Sequence, residues 1–264
     1  LDSFWKNAVW LWLIVFFRYS LLAGAFHWGY LKFGVSRKSI RMISPVPPTR
    51  HQIRSEVFWS SITSGIFAFT GAWGLSLWQQ GRTLVYFEVS DYGWPYFFVS
   101  ILVYAIFHET YFYWTHRILH VPFLLKKVHS VHHEYRDPSA WAAFSFHPIE
   151  GIVQAMILPL LVIWIPIHVG ALLIFLILMS LTGVLNHTGL ELFPSYFAEH
   201  PMGKWLISAT HHHQHHQLYA WNFGLYFTFW DRWMRTQSPS YEAVYLKIKK
   251  NMVSSRNEKL LTRV

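Results

Sequence analysis

Five apolar stretches organise the chain. The first runs from about Ala8 to Tyr30 and is interrupted by Arg18 and His27, the second spans about Val57 to Trp78, and the third about Pro95 to Trp114. The fourth and fifth, about Ile152 to Ile167 and Val169 to Leu185, meet at Pro166, Ile167 and His168. A helix needs about 20 apolar residues to cross a bilayer, so the first three are long enough. The last two are short for full crossings and predict either two spans or a tight hairpin reaching deep into the bilayer. The first stretch is too long, and stops too late, for a typical signal peptide. In the second, Ser60, Ser61, Ser64, Gly65, Gly71 and Gly74 favour close helix approach. Pro45, Pro47 and Pro48 mark a linker before it. The pattern predicts an all-alpha integral membrane protein built as a transmembrane helical bundle.

Composition agrees. Of 264 residues, 53% are hydrophobic and only 13% charged, about half the charged share of a soluble domain. The 15 tryptophans and 14 tyrosines suit interfacial belts. The net charge of +9 does not make nucleic acid a partner, because the basic residues gather between and after the apolar spans and form no recognition helix. With no cysteine, thiolate sites, iron-sulfur clusters and disulfides are excluded.

Charge placement predicts orientation. Lys32, Arg37, Lys38, Arg41, Arg50 and Arg54 lie between the first and second spans, whereas the next loop has Arg82 with Glu88 and Asp91. The positive-inside rule puts the first of these loops in the cytoplasm. Counting spans then brings Arg232, Arg235, Lys247, Lys249 and Lys250 to the same side. It brings three histidine clusters there as well.

Those clusters are the candidate chemistry. His116 and His120 form HxxxH, His129, His132 and His133 form HxxHH, and His212, His215 and His216 repeat HxxHH inside HHHQHH. Positions three and four apart share a helix face, so each cluster is expected to present its imidazoles to a common point. Eight neutral imidazoles suffice for two metal ions, but the spacing does not name the metal. The repeated register leaves His211 and His213 as supporting or solvent-facing residues. His108 is read as a supporting or substrate-channel residue. Glu109 either fixes a histidine tautomer or pairs with a basic side chain such as Arg117. Glu134 or Asp137 is expected to accept from imidazole nitrogens that do not ligate.

The motifs HRILH at 116–120, KVHSVHH at 127–133, FHPIEG at 146–151, NHTG at 186–189, HHHQHH at 211–216, NFG at 222–224 and WDR at 230–232 occur in order. Over roughly residues 45–237 the chain resembles the fatty acid hydroxylase and sterol desaturase superfamily, the membrane-bound non-haem di-iron oxygenases. The resemblance implies a helical cap on the cytoplasmic side holding a histidine-rich di-iron centre. Its ligands would be His116, His120, His129, His132, His133, His212, His215 and His216, with His187 of NHTG as a ninth. A tenth nitrogen is left open among His147, His200, Asn186, water or none. Phe223 stands where the family's NYG element has tyrosine and cannot supply that hydroxyl. Residues 1–56 form an N-terminal membrane helix and basic linker, 57–237 the catalytic domain, and 238–264 a basic tail.

The function implied is a membrane-bound oxidoreductase using two iron ions, dioxygen and an external electron donor to hydroxylate or desaturate a lipid. HPIEG leans toward a sterol, with carotenoid, fatty acyl and sphingoid substrates as alternatives. The lipophilic substrate would enter from the bilayer. No nucleotide fingerprint is present, so electrons are expected from a cytochrome or ferredoxin. Lys126, Lys127, Arg232 and Arg235 would attract such an acidic carrier or contact membrane lipids. The implied location is the bacterial inner membrane or endoplasmic reticulum, with the active site facing the cytoplasm. The non-enzyme alternative, a histidine-rich metal transporter, would instead space its ligands along a path across the bilayer.

Overall fold

The computed structural model describes residues 2–35, 42–44, 46–194 and 196–248. Arg37, Lys38, Arg41 and Pro45 of the linker, Ser195, and Lys249 and Lys250 of the tail lie outside the described residues. The chain is mostly helical. Three long helices come first: α1 (Asp2–Gly29), α2 (Arg50–Gln79) and α3 (Gly93–Leu119). A one-turn α4 (Pro122–Leu124) runs into a π-helical turn, Leu125–His129. After these come α5 (Pro148–Ala155), α6 (Ile157–Trp164), α7 (Val169–Asn186), α8 (Ala209–Leu218) and α9 (Phe229–Trp233).

Among the described residues, two helices are long and apolar enough to cross a membrane, Asp2–Lys32 and Val169–Asn186. α2 and α3 are as long but carry buried polar positions, among them Glu56, Ser60 and Thr63 on α2 and Ser100, His108 and Glu109 on α3. Trp10, Phe17 and Leu21 on α1, Phe98 and Leu102 on α3, and Leu173 and Ile177 on α7 are all exposed. An apolar surface this extensive is incompatible with water, and the protein is membrane-associated. The small residues of α2 meet α1: a Cβ added at Gly65 would lie 3.7 Å from Trp12, and one at Gly71 3.4 Å from Leu11.

The fourth apolar stretch is broken. Pro159 has no N–H to offer the Ala155 carbonyl, and the helix divides at Met156 into α5 and α6. The chain then turns through β2 (Ile167–His168), which pairs in parallel with β1 (Val85–Tyr86), Val85 opposite Ile167. Backbone groups freed by this turn are satisfied: Tyr104 Oη donates to the Ile165 carbonyl at 2.9 Å and Tyr96 Oη to that of Pro166 at 3.0 Å. Phe97, Leu161, Ile167 and Phe175 pack into one core around Tyr104. A second core, with Tyr19, Ala23, Phe144 and Val184, joins α1 to α7 beneath the segment that follows the second histidine cluster.

Polar ties fix that segment. Tyr19 Oη and Ser60 Oγ both donate to the Trp141 carbonyl, at 2.6 and 3.0 Å. The buried Glu56 carboxylate accepts from the Ser139 amide at 3.2 Å, the Ser139 hydroxyl and Gln52 Nε2. The C-terminal ends of α3 and α7, the π-helical turn and α8 therefore converge at one end of the bundle.

Candidate metal centre

The nine histidines singled out above fall into two groups. One contains His116, His120, His129, His133 and His215, the other His132, His187, His212 and His216, and within each group the ring nitrogens lie within 4.8 Å of one another. All are buried except His120, which is half-buried. In the first group, Nε2 of His116 lies 3.1 Å from that of His129, and Nε2 of His215 lies 3.1 Å from those of His120 and His133. In the second, Nε2 of His187 lies 3.0, 3.3 and 3.4 Å from those of His212, His216 and His132.

Neither HxxHH motif serves a single point, contrary to the expectation from spacing. His129 and His133 enter the first group and His132 the second; His215 enters the first and His212 and His216 the second. The cause is helical geometry. Positions i and i+4 lie about 40° apart around the axis, but i+3 and i+4 lie about 100° apart, so adjacent histidines diverge. α8 is a regular helix, capped by Ser208, which accepts from the His211 amide at 3.2 Å. The second cluster is not on a long helix. It hangs on the π-helical turn, where one α-type bond from the His133 amide to the His129 carbonyl, 3.1 Å, preserves the spacing.

The outer nitrogens set the tautomers. Nδ1–H of His116 donates to the Phe223 carbonyl at 2.8 Å, that of His215 to Trp221 at 2.7 Å, and that of His187 to Gly183 at 2.7 Å. His132 Nδ1 donates to the Ser145 carbonyl at 3.3 Å, and the Glu150 carboxyl stands beside His129, its Oε1 2.9 Å from Nδ1. A neutral imidazole has one N–H, so the four rings bonded to carbonyls aim lone pairs inward. His187 and His132 thus face each other lone pair to lone pair across 3.4 Å. Such an arrangement is repulsive without a cation between them. Nitrogens bound at about 2.0–2.1 Å to one first-row metal ion are separated by about this much, so the donor set fits two such ions.

Burial, reinforced by neighbouring imidazoles, keeps the rings neutral. It pushes His116 and His187 down to about 4 and His120 to about 2. His129, His132, His133, His212, His215 and His216 are held well below the ordinary imidazole value, again by burial first. Burial raises Glu150 well above the usual carboxylate range.

Several supporting roles differ from expectation. Glu109 neither fixes a tautomer nor pairs with Arg117. Its carboxylate accepts the backbone amides of Leu225, Tyr226 and Phe227, at 3.1, 2.6 and 3.4 Å. Arg117 lies over the Trp114 ring. Glu134 accepts from Ser55 Oγ, and Asp137 faces His213 at 3.3 Å, so neither serves the second cluster. His147 caps α5, accepting from the Ile149 amide, and His200 accepts from the Met202 amide in a turn. Asn186 donates to the Leu225 carbonyl. None of these three joins a group, and His211 is buried against Tyr241. The Phe223 ring packs 5.1 Å from His120 and 5.5 Å from His215, so its contribution is aromatic contact and a carbonyl.

Two residues inside recognised motifs had no role assigned from sequence. Glu150 orients His129; its signal was an acid in the first turn of a Pro-initiated helix just ahead of an apolar span. Asp231 accepts the Phe223 and Gly224 amides at 2.9 and 3.0 Å, fixing the loop whose carbonyls hold His116 and His215. Nothing in sequence spacing identifies a backbone carbonyl as such a partner.

An apolar cavity of about 480 Å³ adjoins the histidines. Phe112 and Phe146, whose rings pack 5.0 Å from His116 and His132, close its inner end, and Trp78 and Phe87 also line it.

A membrane-associated helical protein with two convergent histidine groups beside an apolar cavity is a lipid-facing dimetal-type protein. The family model for fatty acid hydroxylases matches residues 101–236. The chain belongs to the fatty acid hydroxylase family. A delta(7)-sterol 5(6)-desaturase of Gibberella zeae is 29% identical over 66% of this chain and 54% of its own length. One from Aspergillus fumigatus is 30% identical over 75% and 68%. The lathosterol oxidase of Rattus norvegicus is 30% identical over 58% and 50%. The chain thus spans only about half to two thirds of these relatives. No solved structure matches it.

Proposed function

We propose that the protein is a di-iron oxygenase that uses dioxygen and external electrons to hydroxylate or desaturate a lipid, with a sterol the favoured class. The observation carrying this reading is the contact between the histidine groups and an apolar cavity through Phe112 and Phe146. The names of the relatives, sterol desaturases and a lathosterol oxidase, support the sterol class.

The nine histidines are assigned as ligands, five to one ion and four to the other. Bound iron would supply dioxygen activation and the removal of hydrogen from an unactivated carbon. The chain supplies the rest. The carbonyls of Phe223, Trp221, Gly183 and Ser145 hold protons on the outer nitrogens, keeping the inner lone pairs free, and the Glu150 carboxyl stands beside His129. The aromatic wall excludes water and positions the lipid, and alignment within about 1 Å decides between alcohol and alkene.

Residues 57–237 are assigned as the catalytic unit. All five apolar stretches sit in the membrane, the cap faces the cytoplasm, and the membrane is the bacterial inner membrane or endoplasmic reticulum. Lys126, Lys127 and Arg235 are exposed and offer a basic face to an acidic cytochrome or ferredoxin. Arg232 is already committed to the Lys204 carbonyl and Thr228.

A reconstituted reaction with labelled dioxygen and a delta(7)-sterol tests this. Label in an organic alcohol identifies hydroxylation; an unlabelled alkene with labelled water identifies desaturation. Product formed without oxygen or reductant overturns both, and saturable metal flux in vesicles without lipid oxidation supports transport instead.

A further inference from the structure

The cavity wall is not wholly apolar, and its polar atoms are not all accounted for. Gln154 on α5 is only 8% exposed, and neither its Oε1 nor its Nε2 has a hydrogen-bond partner among the described residues. His108 on α3, 5% exposed, has an unpartnered Nδ1, its ring resting edge-on to Phe175. Both line the same cavity. They approach it from helices locked together nearby, because Tyr111 Oη, one turn beyond His108, donates to the carbonyl of Val153 at 2.7 Å. Burying an amide with neither half paired is unfavourable, so a wall meant only for hydrocarbon would have no use for one.

We propose that Gln154 and His108 form a subsite that holds a hydroxyl group of the lipid substrate. The inference rests on the lipid-oxidising reading above. A hydroxyl both donates and accepts, so it can take a proton from Gln154 Nε2 and give its own to Gln154 Oε1 or His108 Nδ1. A carboxylate has no proton to give and would set negative oxygen against the amide oxygen. Hydrocarbon satisfies nothing. Position follows from helix geometry. Gln154 lies one turn, about 6 Å, beyond Glu150, which bonds His129, and His108 lies about 12 Å before His116 along α3. The hydroxyl is therefore anchored on the two helices that lead to Glu150 and His116, about 12 Å from His116 along α3.

The test is equilibrium binding to the purified full chain in detergent with two matched pairs of probes: a delta(7)-sterol with its 3-hydroxyl or with hydrogen there, and octadecanol or octadecane. At least one hydroxylated member binds about tenfold or more tighter than its partner. Gln154→Leu and His108→Phe erase that difference while leaving affinity for the deoxygenated partner and the metal content of the chain unchanged. Equal affinity within both pairs in the wild type overturns the subsite and leaves the lipid reading standing. So does octadecanoate binding that Arg18→Leu abolishes and Gln154→Leu does not touch, because Arg18 lines the same cavity and would then hold the polar end. No binding by any probe, with no oxygen-dependent lipid product, removes both.

Discussion

The Glu109 carboxylate, fully buried on α3, accepts the backbone N–H of Tyr226 at 2.6 Å across 117 residues of sequence. With Leu225 and Phe227 also bonded, one acid gathers the strand of chain that follows Phe223 and so sets where the carbonyls holding His116 and His215 stand. Glu109→Leu leaves three amides without their acceptor. Expected is a loss of about 3 kcal/mol or more of stability, at about 1–3 kcal/mol for each unmet amide, and a metal content below wild type, read by thermal unfolding and metal analysis. Unchanged metal content would show that the loop is held by Asp231 alone.

Gly224 occupies the tightest point of this loop. A Cβ there would lie 2.6 Å from the Phe227 carbonyl oxygen and 2.8 Å from Glu109 Oε1. Gly224→Ala is expected to lower stability and metal content together, as Glu109→Leu does. Combining the two substitutions costs less than the sum, because both act on one contact. A double-mutant cycle giving strict additivity would refute that coupling.

Glu150 is expected to act through His129. Glu150→Ala removes the carboxyl 2.9 Å from His129 Nδ1 and weakens metal affinity by about 10- to 100-fold. Glu150→Gln keeps an acceptor in place and retains most of the affinity. Competition against a chelator of known affinity measures both, and equal loss in the two variants would point to packing instead.

Alanine at His132 or His216 removes a nitrogen from the second group, and alanine at His129 one from the first. Each is expected to lower metal content below two ions per chain and to abolish lipid oxidation. Native protein with full content and activity after His132→Ala and His216→Ala together would remove the ligand assignment.

Acid should destabilise the metal-free protein. Its histidines titrate below the ordinary value of 6.5, with His116 and His187 near 4, while in the unfolded chain they protonate near 6.5. The unfolded state therefore binds more protons in that interval, and stability falls as pH drops from 6.5 toward 4. Buried Asp231 and Glu56, raised to about 6 and about 7, and Glu150 and Glu191, raised by burial, act in the opposite sense, losing stability as pH rises through that range. Nine imidazoles outweigh these carboxylates. A melting temperature that rises on acidification from pH 6.5 to 5 would contradict this balance.

What was legible in the sequence followed from periodicity. The HxxxH and HxxHH spacings named eight histidines because a helical turn brings such positions together whatever surrounds them, and NHTG supplied His187. The division of each HxxHH motif between two groups was equally a matter of angle, but a one-face reading treats i+3 and i+4 as equivalent. Glu109 was misread because its partners are main-chain amides more than a hundred residues away, which no side-chain pattern encodes. The break between α5 and α6 was visible only as Pro159 within an otherwise continuous apolar run.

Because His132 and His133 are chain neighbours serving different groups, as are His215 and His216, the two metal positions are geared together. A small rotation of α8 that draws His216 toward its partners swings His215 away from its own. Neither position can be tuned for a tighter grip or a different ion without detuning the other.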